Sequence, residues 1–371
     1  MNARPSLFKV LGDPSFWRFA GSGLIVSVAY LDPGNWGTNI AAGEQFNYGL
    51  LWVIWLASGM AMLFQYISGK IGLAGHTISS LVSAKLKRKS LVFGYWLLAE
   101  IVILATDLAE FLGIVVALHL LFGIPMIIGT FVAVADVLLL LVLTRNRFRA
   151  LEQAFVLFVS VIGLGFAYEL FITKPSMSGI ISGSLMPHLN FQSVLLAVGI
   201  IGATVMPHAL FVHSWLVKNK VLNAQFPDKT KTLTYHLTEN VLSLTIAAVI
   251  NAAMLIMAAA AFHGVGAEAT LEGAYVTLIP LFGGIAATVF ALALLFAGIS
   301  SSITGTLAGQ AIMDDLLHWK FPIWLRRLIT RGINVIPLTI AILLGIEPLH
   351  ILVYSQVLLS LLIPLPLIPA L

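Results

Sequence analysis

"SVAYLDPGNWGTNI", residues 27–40, places a carboxylate (Asp32), two helix breakers (Pro33 and Gly34) and an amide (Asn35) inside an otherwise apolar run. The chain around it is 59% hydrophobic and 10% charged, with mean hydropathy +1.00, far from the ~45–50% apolar and ~25% charged typical of a soluble domain. The composition therefore describes an all-α integral membrane protein. Charge and helix breakers at membrane depth are expensive, so they mark places that are used. There are no cysteines, which excludes disulfides, thiolate metal sites and cysteine nucleophiles. The first residues, "MNARPSLFKVLGDPSFWRF", lack the short apolar core of a cleaved signal, so the first span is expected in the mature protein.

Apolar runs long enough to cross a ~30 Å hydrocarbon core occur near 20–43, 48–69, 91–121, 124–144, 151–173, 193–217, 237–263, 276–305, 329–345 and 349–371. With the N-terminus inside, this ten-span layout puts nineteen of the twenty Lys and Arg residues on one side, from Arg4 through the "KLKRK" cluster to Arg326, Arg327 and Arg331. Only Lys174 falls on the other. Such a bias marks the cytoplasmic face and predicts a multi-pass protein of the cell membrane with both ends cytoplasmic. The net charge of +4 is then a topology signal and calls for no nucleic-acid partner.

A second interruption, "GATVMPH" at 202–208, breaks span 6. Met206 lies 174 residues and five spans after Asp32. An odd number of spans means that the second five-helix unit enters the membrane inverted, and paired Gly/Pro breaks in inverted halves point to the midplane site of a secondary transporter. The expected organisation is one transmembrane domain, 1–371, made of a first repeat at 16–173 and an inverted second at 193–371. A lone proline kink re-satisfied by its neighbours is common in membrane helices; matched breaks with an acidic residue are not. Asp32, Asn35 and freed carbonyls alone would suit Mg²⁺, Ca²⁺ or Na⁺. Met206 adds a soft thioether, which favours Mn²⁺, Fe²⁺ and later divalent metals.

Span 3 carries Glu100, Asp107 and Glu110; at 100° per residue the first two lie roughly 20° apart and the third roughly 80° away, on one broad face. Such groups line a water-filled path or pair with one another, and a buried structural ion pair is the plain alternative. His208 and His213 follow on span 6. Asp136, Glu239, Asn251 and Gln356 are further polar groups inside apolar runs. A second "MPH", at 186–188, sits in a polar loop and reads as loop.

"DPGN" at 32–35, "ATDLAEFLG" at 105–113, "GATVMPH" at 202–208 and "SSSITGTLAGQ" at 300–310 together resemble the Nramp family of proton-coupled divalent metal transporters, in order and spacing over nearly the whole chain. The resemblance implies a LeuT-type fold, a 5+5 inverted repeat with helices 1 and 6 unwound at mid-membrane. It implies a transported metal held by Asp32, Asn35, the carbonyl of Ala203 and the thioether of Met206, with Gln356 approaching it. It also implies a proton route through Asp107, Glu110 and His208, joined by Glu100 and His213, with Lys220, Arg326 and Arg327 at its inner end. Mn²⁺ and Fe²⁺ are the implied substrates, Cd²⁺, Co²⁺ and Zn²⁺ further candidates, and H⁺ the coupled ion. No cofactor, no enzymatic activity and a functional monomer are expected. Three positions depart from the family pattern: Lys220 where Arg is usual, Leu362 where a second Gln is common, and Ala209 where Asn is frequent. An eleventh span is common in the family and is not among the residues up to Leu371.

Two other readings were weighed. A sodium-coupled amino-acid or solute symporter shares the fold class, but it meets a substrate carboxylate with helix N-termini rather than with an Asp and a thioether. An intramembrane metalloprotease needs a pair such as H-E-x-x-H, which the sequence lacks.

Overall fold

A computed structural model describes the backbone of residues 7–138, 148–224, 229–264 and 270–371. Arg4, Arg145, Arg147 and the end of the expected span 124–144 lie outside the described residues. Two short helices, α1 (Leu7–Leu11) and α2 (Pro14–Phe19), precede α3 (Ser22–Ala29) and α4 (Pro33–Phe46). A 3-10 turn, Asn47–Leu50, leads into α5 (Leu51–Leu73), followed by α6 (Ile78–Lys85), α7 (Lys89–Phe122), α8 (Met126–Ala133), α9 (Phe148–Thr173) and α10 (Met177–Leu185). The second half runs through α11 (Phe191–Val205), α12 (Pro207–Ala224), α13 (Lys229–Phe262), α14 (Leu271–Phe282) and α15 (Gly284–Leu317). It ends with α16 (Ile323–Leu343), α17 (Pro348–Leu361) and α18 (Pro364–Ala370).

Seven of these segments are long and apolar enough to cross a membrane. The three expected spans that do not qualify are the ones interrupted or charged: span 1 is split into α3 and α4, span 4 is described only as Met126–Leu138, and α16 carries three arginines. Large apolar side chains face outward along the spans, among them Leu164, Phe171 and Ile336, as a lipid-facing surface requires. The protein is a multi-pass membrane protein.

Two expectations from the sequence change. Span 8 was drawn at 276–305, but Pro280 and the Gly283–Gly284 pair divide that stretch, and one continuous helix runs instead over Gly284–Leu317. The shift puts "SSSITGTLAGQ" in the middle of the helix. Arg326, Arg327 and Arg331, counted as loop charges, lie inside α16 and are buried; their charge serves pairing within the protein.

Inside the bundle α7 lies along α15, α11 along α17, and α4 along α13. The short N-terminal helices dock on the start of α13. Phe16 and Phe19 pack against Tyr235, and Asp13 accepts from the Tyr235 hydroxyl and from Lys231 Nζ at 2.7 Å. Those two donors hold the Asp13 carboxyl below the usual range.

Candidate functional site

The break in span 1 is an ordinary helix start placed where no start belongs. Asp32 is extended (φ −66°, ψ 162°) and caps α4, its Oδ1 accepting from the Asn35 N–H at 2.8 Å, with Pro33 at the first helical position. The chain opens over Tyr30–Asp32, which turn through three tight 3-10-type bonds. Pro33 and Gly34 therefore belong to the new helix rather than to the opening, because a proline lacking N–H fits the first turn of a helix without loss. The carbonyl of Tyr30 is met by Asn251 Nδ2 at 2.6 Å, while Asn251 Oδ1 accepts from Asn39.

Span 6 opens at one residue. Met206 adopts φ 47° and ψ 92°, left-handed backbone that a non-glycine residue adopts at a cost of about 1–3 kcal/mol. The proline after it disfavours helical geometry at Met206. Pro207 has a second effect, four residues upstream: in a continuous helix the Ala203 carbonyl would accept from residue 207, and proline has no N–H to give. That carbonyl accepts instead from Asn35 Nδ2 at 2.9 Å.

The two breaks thus meet. Asn35 Nδ2 also donates to Asp32 Oδ1 at 2.8 Å, and Thr204 Oγ1 reaches Asn35 Oδ1 at 3.4 Å. The third wall is α17. A Cβ at Gly34 would overlap the Gln356 side-chain amide and stand 2.9 Å from Asp32 Oδ2, and one at Gly202 would overlap the Gln356 backbone carbonyl. Only glycine at both positions lets Gln356 come this close. Asp32, Asn35, Met206 and Gln356 are fully buried. Asp32 Oδ2 and Gln356 Oε1 have no hydrogen-bond partner among the described residues, so both residues bring a buried oxygen that is uncommitted. Among the described residues no group of three or more His, Cys, Asp and Glu side chains is placed for a metal; the junction instead offers mixed donors, one carboxylate, two side-chain amides, a carbonyl and a thioether. Thr204 was not anticipated from the sequence.

The ionisable residues sort into separate groups. Arg326 holds Glu100 bidentately at 2.8 Å. Arg327 bridges Asp107 and Asp136 at 2.5 Å each, and Arg331 reaches Asp136 at 2.6 Å and Asp107 at 3.2 Å. Asn334 donates to Asp107 Oδ2 at 2.8 Å, and the Arg331 guanidinium lies over the Phe111 ring at 4.4 Å. Three carboxylates thus face three guanidiniums, so the paired-ion alternative describes Glu100 and Asp107. Glu110 stands apart, although the sequence reading placed all three carboxylates on one broad face. It turns toward α15, where Ser301 donates to Oε1 at 2.5 Å, and Oε2 has no partner among the described residues. His208 meets Thr106, the neighbour of Asp107, at 3.1 Å.

His213 and Lys220 join neither group. His213 bonds Gln65 at 2.8 Å, Gln65 donates to the Tyr30 hydroxyl, and the His236 ring lies 5.2 Å away. Lys220 Nζ donates to the Ala20 carbonyl at 2.7 Å and lies over Phe19, far in sequence from the arginines of α16. Glu239 caps the start of α3 through the Gly21 and Gly23 N–H groups. Met186 and His188 of the second "MPH" are exposed, as expected of a loop. Arg331 was read only as a topology charge and Asn334 not at all, because their partners Asp107 and Asp136 lie on distant elements.

Comparison with known proteins agrees with this geometry. The "Divalent metal cation transporter MntH" of Verminephrobacter eiseniae is 44% identical over 351 residues, 94% of this chain and 79% of that protein. A manganese transporter of Eremococcus coleocola, solved with an aromatic bis-isothiourea compound, superposes with TM-score 0.85 at 33% identity over 96% of this chain and 80% of that one. Mhp1, a nucleobase-cation-symport-1 family transporter, shares the fold at TM-score 0.65 and 16% identity, covering 95% of this chain and 77% of its own. The architecture is the all-α LeuT-type fold. The family model described as "Natural resistance-associated macrophage protein-like" matches residues 23–371, and the chain belongs to that family, Nramp.

Proposed function

We propose that the chain imports divalent transition-metal ions, Mn²⁺ and Fe²⁺ first and Cd²⁺, Co²⁺ and Zn²⁺ as further candidates, together with protons by alternating access. The observation that carries this is the junction of the two helix breaks, where Asp32 Oδ2 and Gln356 Oε1 are buried and unpartnered beside the carbonyl released by Pro207. The substrates printed in the relatives' names, divalent metal cations and manganese, support the same reading. In this mechanism Asp32, Asn35, the Ala203 carbonyl, Met206 and Gln356 hold the ion after it sheds water, and the Asn35 amide turns its oxygen inward to do so. The units 16–173 and 193–371 act as the two inverted repeats of a monomer in the cell membrane, with the N-terminus cytoplasmic. An inside-negative potential assists entry by ~2.3 kcal/mol per charge per 100 mV, about twice that for a divalent ion.

Metal flux in proteoliposomes tests the soft ligand. Met206→Ala lowers Mn²⁺ uptake and shifts the Mn²⁺ to Ca²⁺ rate ratio about tenfold toward Ca²⁺, equivalent to ~1.4 kcal/mol. An unchanged ion preference removes the thioether from the argument.

Proton coupling rests on Glu110, which has one oxygen without a hydrogen-bond partner among the described residues and lies one helical turn from Asp107. Uptake by the wild-type chain rises as the outer medium is acidified, and Glu110→Gln flattens that dependence while leaving Mn²⁺ binding measurable. Uptake that ignores pH in the wild type refutes the coupling.

A further inference from the structure

Along α9 the buried residues Phe158, Ile162, Phe166 and Glu169 recur every three or four positions, so they form one inward stripe. The stripe is ordered relative to the ion site. At its start, Val156 and Val159 line a groove of about 620 Å³ shared with Leu24 and Ser27 of α3 and with Leu31, the residue before Asp32. Further along, the Phe166 ring lies 4.8 Å from Trp36, the residue after Asn35, and Trp36 lies 5.1 Å from Phe290. These three buried rings form one cluster that begins at the residue next to Asn35. Glu169 stands one helical turn beyond Phe166 along α9, on the opposite side of that ring from Val156 and Val159 in the helix order.

Glu169 is 1% exposed, and neither of its carboxylate oxygens has a hydrogen-bond partner among the described residues. Glu100, Asp107 and Asp136 are held by arginines and Glu239 by backbone N–H groups, while Asp32 and Glu110 each keep one hydrogen-bonded oxygen; Glu169 has neither. A buried carboxylate with no partner is costly in a membrane protein and marks an ion pathway.

We propose that Glu169 is a ligand of an entry site that holds the incoming divalent ion before the Trp36, Phe166 and Phe290 rings part and admit it to Asp32. The entry site rests on the reading of the Asp32 junction as a divalent-ion site. A fixed anion in a low-dielectric neck raises the local concentration of cations and the rate at which they arrive, by about tenfold or more. Its effect appears in the concentration dependence of uptake rather than in the maximal rate.

Mn²⁺ uptake by the full chain in proteoliposomes tests this. Glu169→Gln is expected to raise the half-saturating Mn²⁺ concentration about tenfold with the maximal rate retained. Glu169→Asp recovers part of the loss. Glu169→Leu, which removes the charge without leaving a buried polar group unpaired, reproduces the Gln result, and thermal unfolding without Mn²⁺ confirms that the variants are folded. In an Asp32→Ala background, calorimetry with Mn²⁺ retains a weak site that Glu169→Gln removes. An unchanged half-saturation in the Gln and Leu variants, or a fall in maximal rate alone, overturns the entry site while leaving the central one standing. A wild-type chain that neither binds nor carries Mn²⁺ overturns both.

Discussion

Asp32→Ala abolishes Mn²⁺ uptake and weakens Mn²⁺ binding by at least about a hundredfold. Among the described residues Asp32 supplies the only formal charge at the junction of the two helix breaks, and it is fully buried. Even with an effective dielectric of 20, a unit charge pair at 4 Å is worth about 4 kcal/mol, and the ion is divalent. About 4 kcal/mol corresponds to roughly a thousandfold in affinity, so a hundredfold is the conservative expectation. Some weakening has a second source, because Asp32 Oδ1 caps α4 through the Asn35 N–H, and losing an N-cap costs about 1 kcal/mol. Asp32→Asn separates the two, since it keeps a capping oxygen and removes the charge. If the charge dominates, Asn and Ala behave alike in calorimetry and in proteoliposome uptake, and only Ala lowers the unfolding temperature. Wild-type affinity in the Asn variant would reject Asp32 as the electrostatic anchor.

The parts of this site that follow from short-range chemistry were legible in the sequence, and those that depend on distant pairing were not. Asp32-Pro33-Gly34-Asn35 spells an N-cap and a first helical turn, so the break near residue 32 could be read locally, although Pro33 and Gly34 turned out to start the helix rather than to open it. The release of the Ala203 carbonyl follows from counting four residues back from Pro207. Helical spacing put Glu110 and Asp107 on one broad face, but a broad face meets two neighbours, and the structure turns them toward different helices. In contrast, Gln356 reaches the junction only because Gly34 and Gly202 both lack a Cβ, a coincidence across three elements that no local pattern announces. Arginines in a hydropathy scan look like loop residues, which is why Arg327 and Arg331 were counted as topology markers; their partners lie 191 to 224 positions away in sequence. Glu169 was passed over as part of an apolar run, and only burial without a partner distinguishes it.

Arg327→Met gives the largest expected stability loss, about 3–5 kcal/mol, because it removes one partner of a buried ion network while its counter-charges stay. Arg327 is 2% exposed and binds Asp107 and Asp136 at once. Arg331 would remain as the one guanidinium facing both carboxylates, leaving a buried surplus of negative charge. For a protein whose total stability is about 5–15 kcal/mol, that loss appears as a large fall in unfolding temperature and in purified yield. Neutralising the surplus should restore much of it: Arg327→Met with Asp136→Asn is expected to be more stable than Arg327→Met alone, and the double-mutant cycle gives the coupling directly. The pairs are buried, so the coupling should change little with ionic strength, unlike that of surface pairs. The same cycle distinguishes a structural clamp from a proton route. If the network only braces α16 against α7, the double variant regains both stability and pH-dependent uptake. If Asp107 also relays protons, stability returns while the pH dependence stays flat, because Met at 327 no longer sets the charge beside Asp107. A single Arg327→Met variant with wild-type unfolding temperature would show that Arg331 alone balances both carboxylates.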